Sequence, residues 1–264
     1  MSDRTRIEAD GLGDWRMQAI TPLASDVPPA YPGGAAHKTG TLLILTTHAS
    51  TPKHPNLYFS TPSAPALALD TAFRSASTAT ALWPQIKFQE VVTPAGNGTT
   101  IAMNDTPLLF DFFSGSMAAA GSSFQAIEAF ANESIAGLLT GTTTLERKTG
   151  PELNAEDIER YVSTEEKIAT VIPRLLKTSS IKGGTDWQKF VLLKNIRDAA
   201  THFKSGDQYY MHGKIERGSL YQLLLNNDPC QFPLIALRVI WSLRQPTATP
   251  RWLTHLAEKH GVVR

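Results

Sequence analysis

Cysteine is almost absent, with Cys230 standing alone among 264 residues. One thiol excludes an internal disulfide framework and any zinc site built on several cysteines, and it fits a reducing compartment. Long apolar runs are missing as well. The longest, Phe232 to Leu243, contains Arg238 and is too short to cross a bilayer. The opening residues, MSDRTRIEADG, carry charges where a secretory leader needs an apolar core. These absences lead to the expectation of a cytoplasmic protein with no membrane partner. No sign of charge dominates either: 25 Lys and Arg face 24 Asp and Glu, so nothing draws the whole molecule toward nucleic acid or an acidic surface. Two common catalytic signatures fail in the segment Gly115–Ser123. It lacks the Gly-Lys-Ser/Thr of a phosphate loop and the Gly-x-Ser-x-Gly of a hydrolase elbow.

What is present divides into halves of different texture. Residues 1–112 are rich in Pro, Thr, Ser, Ala and Gly, with 7 Lys and Arg against 9 Asp and Glu. Short apolar runs, Leu42–Leu45, Asn56–Phe59, Ile86–Val92, Thr99–Met103 and Leu108–Phe113, are separated by turn-formers such as Pro32-Gly33-Gly34 and Pro94-Ala95-Gly96-Asn97-Gly98. Such runs predict strands in a small β-rich or irregular region, preceded by an arm of roughly thirty residues. From about Ser114 the apolar period becomes helical. Met117, Phe124, Ile127, Ala131, Ile135 and Leu138 fall on one stripe. A second helix is expected near Ser163, where Ser163 and Glu166 form a capping box and Ile168, Val171, Ile172 and Leu175 make the apolar stripe, with Pro173 kinking or ending it. A third is expected from Thr185 or Asp186 to Ser205, with Thr185 and Gln188 as its box and Phe190, Leu193, Ile196, Ala200 and Phe203 on its apolar face. Helices over Leu220–Asn226, Gln231–Arg244 and Trp252–Lys259 complete the pattern. The expected fold is mainly α: a helical bundle over 113–244, an N-terminal β-containing accessory region over 1–112, and a helical tail over 245–264.

The segment Leu193-Lys-Asn-Ile-Arg197-Asp198-Ala-Ala-Thr-His202-Phe203 concentrates the chemistry. On an uninterrupted helix Asp198 and His202, four apart, share one surface. A carboxylate beside an imidazole favours the protonated ring and orients it. Arg197 lies about 100° around the axis and offers a fork suited to phosphate oxygens. Phosphodiester cleavage in RNA needs a base for the 2′-hydroxyl proton, an acid for the leaving oxygen and a cation for the charged phosphorane, and no metal or other cofactor. Lys194, Lys204 and Lys189 are candidates for a phosphate-binding rim. Glu128 and Asn132, one turn apart on the first long helix, are candidates for hydrogen bonds to the motif across the bundle.

Arg197, a polar residue, three more residues and His202 together resemble the signature of the HEPN superfamily. The helix reading Ser123-Phe-Gln-Ala-Ile-Glu-Ala-Phe-Ala-Asn-Glu133 resembles the first helix of several bacterial HEPN-like families, and Thr164-Glu-Glu-Lys167 is similar to the opening of the next one. The resemblance covers about residues 114–244 and implies a helical bundle. It also implies a homodimer in which two motifs face one cleft, and metal-independent endoribonuclease activity on RNA. In that scheme Arg197 and His202 form the catalytic pair and Asp198 supports them. Many such proteins are toxins held by an antitoxin, or act in antiviral defence. Others in the superfamily do not cleave RNA, which leaves a second expectation: a non-catalytic helical protein for dimerisation, nucleotide sensing or partner binding.

Other polar clusters read as structural. His37, His48 and His54 match no zinc spacing. Tyr209, Tyr210 and His212 are expected to pack on the bundle rather than to stack on bases. The tail Thr254–Val263 offers one short helix, too little for a helix-turn-helix.

Overall fold

The computed structural model describes residues 13–18, 20–22, 25–29, 36–39, 42–44, 46–93, 96–141, 143–146, 151–203 and 219–262. The chain is mainly α, with small antiparallel hairpins toward its N-terminus. It forms two compact units. One contains the two chain ends, up to Leu67 and from Arg244; the other is Ala68–Leu243.

In the unit of the chain ends, β1 (Ile20–Pro22) pairs with β2 (Leu42–Ile44), and β3 (Thr46–Ala49) pairs with β4 (Leu57–Ser60), both antiparallel. The tail helix, Arg251–Lys259, is strongly amphipathic. Trp252, Leu253, Leu256 and Ala257 share its buried face, and Trp15 stacks on His255 with ring centroids 5.2 Å apart. The expected tail helix is therefore present, one residue earlier than its spacing predicts.

The region Ala64–Leu82 departs from expectation. It is not irregular or β-rich but a helix, α1. Its small residues signal alanine-driven helix rather than loop: alanine loses almost no side-chain entropy on entering a helix. Leu69, Ala72, Ala76 and Ala79 recur at spacings of three and four and are all buried. Asp70 and Arg74 add an ion pair at 2.7 Å one turn apart. The next two expected strands are confirmed as β5 (Phe88–Thr93) and β6 (Gly96–Ile101), an antiparallel hairpin whose second strand opens on Gly96 at φ 115°.

The run Leu108–Phe113 is likewise not a strand. It lies in α2 (Thr106–Leu138), 33 residues without a break, about 50 Å long at the rise of an α-helix. A run of five apolar or aromatic residues interrupted only by Asp111 fits a strand or a buried helix equally well, and the continuation at helical period decides for the helix. Helix α2 is the axis of its unit. Against it pack α6 (Thr185–Thr201) and α8 (Gln231–Leu243) most extensively, with α3 (Ala155–Tyr161) and α7 (Leu220–Leu225) beside them. Gly115 lets α1 approach closely, because a β-carbon there would sit 3.1 Å from Ala79 Cβ and 3.3 Å from the Ser75 carbonyl oxygen.

Ser163 caps the next element as expected, its hydroxyl accepting from the Glu166 amide at 3.1 Å. One α-turn, α4 (Thr164–Glu166), widens into a π-turn over Lys167–Val171 and returns to α5 (Ile172–Leu176). Pro173 is the physical cause. It has no N–H to give the Ala169 carbonyl four residues back, and the Ser180 hydroxyl donates to that carbonyl instead. Among the described residues no helix is long and apolar enough to cross a membrane.

Candidate functional site

Helix α6 presents the candidate residues because its other face is committed to the core. Phe190, Leu193 and Ile196, three apart, are completely buried, which turns Lys194, Arg197 and Asp198 toward the surface. Gly184, not Thr185, occupies the N-cap, and no side-chain box forms with Gln188.

The guanidinium carbon of Arg197 lies over the ring of Phe124 of α2, 3.8 Å from its centroid. Phe124 is in turn stacked on Phe190 with centroids 5.9 Å apart. A planar, weakly hydrated cation on an aromatic face is held by the ring quadrupole as well as by packing. Nη1 of Arg197 pairs with Asp198 Oδ1 at 3.0 Å, while Nε is buried and has no hydrogen-bond partner. The other carboxylate oxygen of Asp198 takes Lys194 Nζ at 3.4 Å, and Lys194 also reaches Glu165 Oε2 of α4 at 3.8 Å. The result is an alternating chain of charges, Glu165, Lys194, Asp198 and Arg197, each partly exposed.

His202 is placed differently from the expectation. Helix α6 ends at Thr201, and His202 leaves the helical region at φ −122° and ψ 76°. Thr201 closes the helix by donating its hydroxyl to the Arg197 carbonyl at 2.8 Å. The four-residue spacing aligns side chains only on an uninterrupted helix, so Asp198 and His202 are linked by backbone alone, the His202 amide donating to the Asp198 carbonyl at 2.9 Å. The imidazole is exposed, and among the described residues it makes no hydrogen bond or ion pair. Phe203 is also exposed rather than on the buried face.

Glu128 and Asn132 meet other partners than the motif. Glu128 Oε1 accepts from the Thr164 hydroxyl at 3.1 Å, and Asn132 Oδ1 accepts from Lys167 Nζ at 2.8 Å. Lys167 is only 1% exposed, and its ammonium also donates to the Glu159 carbonyl at 3.0 Å, at the end of α3. Burial pushes this lysine below its ordinary range, opposed by the nearby charges of Glu128 and Glu159. These polar residues tie α2, α3 and the π-turn together. Lys204, Tyr209, Tyr210 and His212 lie outside the described residues.

Phe124, Glu165 and Lys167 were not singled out as site residues from the sequence. The signal for Lys167 is its position: it stands three after Thr164 and four before Val171, on the buried stripe. Phe124 has no such signal, since every aromatic on an apolar stripe looks alike before its neighbours are known. Elsewhere in this unit, an apolar trough of about 600 Å³ is lined by Leu109, Phe110, Phe113, Met117, Tyr221 and Leu225 and contains no carboxylate, imidazole or cation. Among the described residues no group of His, Cys, Asp and Glu could hold a metal ion. His48 instead packs on Tyr58 across the β3–β4 hairpin. Compared with known proteins, the chain matches no family model, no curated protein and no solved structure.

Proposed function

We propose that the protein is a metal-independent endoribonuclease of HEPN type, with Arg197 as the phosphate-binding cation and His202 as the general acid and base. The reading rests on the resemblance of Arg197-Asp-Ala-Ala-Thr-His202 to the superfamily signature. The observation that carries it is the seat of Arg197: a permanent cation, partly exposed, immobilised on Phe124 within five residues of an exposed imidazole. A preorganised guanidinium stabilises charge developing on phosphate oxygens without reorganising as the reaction proceeds. The exposed imidazole is the group that moves the proton from the 2′-hydroxyl or to the leaving oxygen. In this reading two copies bring their motifs to one cleft, and an antitoxin or other regulatory protein restrains the activity in a toxin or antiviral role. The proposed location is the cytoplasm.

Purified protein is expected to cut single-stranded RNA in the presence of EDTA. Arg197→Ala and His202→Ala are each expected to lower the rate by about a hundredfold or more, the scale of one lost transition-state donor or acid–base group, with the far-ultraviolet circular dichroism unchanged. Wild-type protein inert toward RNA would refute the enzyme reading. One observation favours the second reading, a non-catalytic helical dimerisation, nucleotide-sensing or partner-binding protein: the Asp198 carboxylate faces Lys194 and Arg197 rather than the imidazole it would orient. A stable dimer in light scattering from RNA-inert protein would support that alternative.

A further inference from the structure

We infer that Asp198 is an electrostatic plug that holds both cations of the α6 surface closed to polyanions. The inference rests on the reading of this surface as a phosphate-binding site. Each oxygen of the one carboxylate takes one cation, Oδ1 the Arg197 guanidinium at 3.0 Å and Oδ2 the Lys194 ammonium at 3.4 Å. Glu165 adds a second negative group 3.8 Å from Lys194, so the patch carries two positive and two negative side chains and presents no net charge to an approaching backbone.

The guanidinium has little freedom to escape this arrangement. Its carbon sits over Phe124 at 3.8 Å and its Nε is buried, so an incoming phosphate meets the terminal nitrogens, of which Nη1 is paired with the carboxylate. A phosphate oxygen that bonds to Arg197 therefore either displaces Asp198 or sits next to it, and two like charges at that separation repel. The Asp198 side chain is partly exposed, so solvent can take up the carboxylate when a phosphate displaces it. Its role is thus to restrain substrate engagement, in contrast to the support of His202 that the sequence suggests.

The experiment measures binding of a single-stranded oligoribonucleotide at low salt by fluorescence anisotropy, using the full chain in a His202→Ala background so that the RNA stays intact. Asp198→Asn keeps the shape and removes the charge. It is expected to tighten binding about fivefold, the effect of removing one like charge about 4 Å away in water. The gain shrinks at high salt and disappears when Arg197→Ala is added. Glu165→Gln, which releases Lys194 alone, gives a smaller gain. Asp186→Asn, in the first turn of the same helix, changes net charge identically and is expected to alter affinity by less than about twofold, since the Coulomb effect in water falls with distance and it lies about three turns from Asp198. Equal affinity of the parent and Asp198→Asn, or an equal gain from Asp186→Asn, would overturn the plug while leaving the nucleic-acid reading standing. If neither the parent nor Asp198→Asn binds the oligonucleotide, the phosphate-binding reading fails and the plug with it.

Discussion

Lys167 shows how one residue can organise three elements. A buried ammonium is tolerated because its protons meet Asn132 and the Glu159 carbonyl in the last turn of α3, where the helix dipole also favours a cation. Removing one acceptor leaves the charge in place with fewer partners, whereas removing the charge also removes its desolvation penalty. Asn132→Leu is therefore expected to destabilise the fold by about 2 kcal/mol in urea titrations, and Lys167→Met by clearly less. The pH response follows from the direction of the lysine's shift. Between the lowered folded-state value and the ordinary 10.5, the unfolded chain holds a proton that the folded chain has released. Stability contributed by this group accordingly rises as pH increases through that window. The stability difference between wild type and Lys167→Met, followed from pH 8 upward toward 10.5, is expected to shift in favour of wild type. A flat or opposite trend would mean that the ammonium is solvated.

At the level of the helix, α2 contains glycines in opposite circumstances. Replacing glycine by alanine inside a helix gains up to about 1 kcal/mol in propensity. Gly121 has nothing within 4 Å of where a β-carbon would stand, so Gly121→Ala is expected to raise the melting temperature. At Gly115 the same carbon would press on the Ser75 carbonyl oxygen and on Ala79, neither of which is the movable end of a long side chain. Gly115→Ala is expected to lower the melting temperature despite the propensity gain. Equal effects at the two positions would show that the α1–α2 contact is looser than described. The π-turn belongs to the same scale: Pro173 was recognised as a disruption from the sequence, but its form, a widened turn with Ser180 bonding the orphaned carbonyl, depends on a residue outside the helix.

At the scale of the molecule, the tail helix is part of the unit of the chain ends, and His260 at its close is partly buried. Burial lowers its proton affinity below the ordinary 6.5, with Lys259 and His255 acting in the same direction. In the window between the lowered value and 6.5 the unfolded chain binds the extra proton, so the contribution of His260 is complete above 6.5 and is lost as pH falls through the folded-state value. Tryptophan fluorescence of the wild type is expected to report easier unfolding below that range, and His260→Gln to weaken the pH dependence. An unchanged pH profile in the variant would place the sensitivity elsewhere.

The mainly helical class, the apolar stripes of α2 and α6, the Ser163 cap and the strands β2, β4, β5 and β6 were readable from the amino acids alone, since each depends on spacing within a few neighbours. The same local reading took alanine-rich Ala64–Leu82 for irregular chain and Leu108–Phe113 for a strand, where composition and a short apolar run leave more than one structure open. Contacts between distant segments settled the rest. Phe124 beneath Arg197, Glu165 beside Lys194 and Asn132 on Lys167 join residues that no spacing rule connects. The end of α6 at Thr201 parted a carboxylate and an imidazole that an unbroken helix would have held together. Side-chain chemistry is written residue by residue, but its partners are chosen by packing, which only the folded chain specifies.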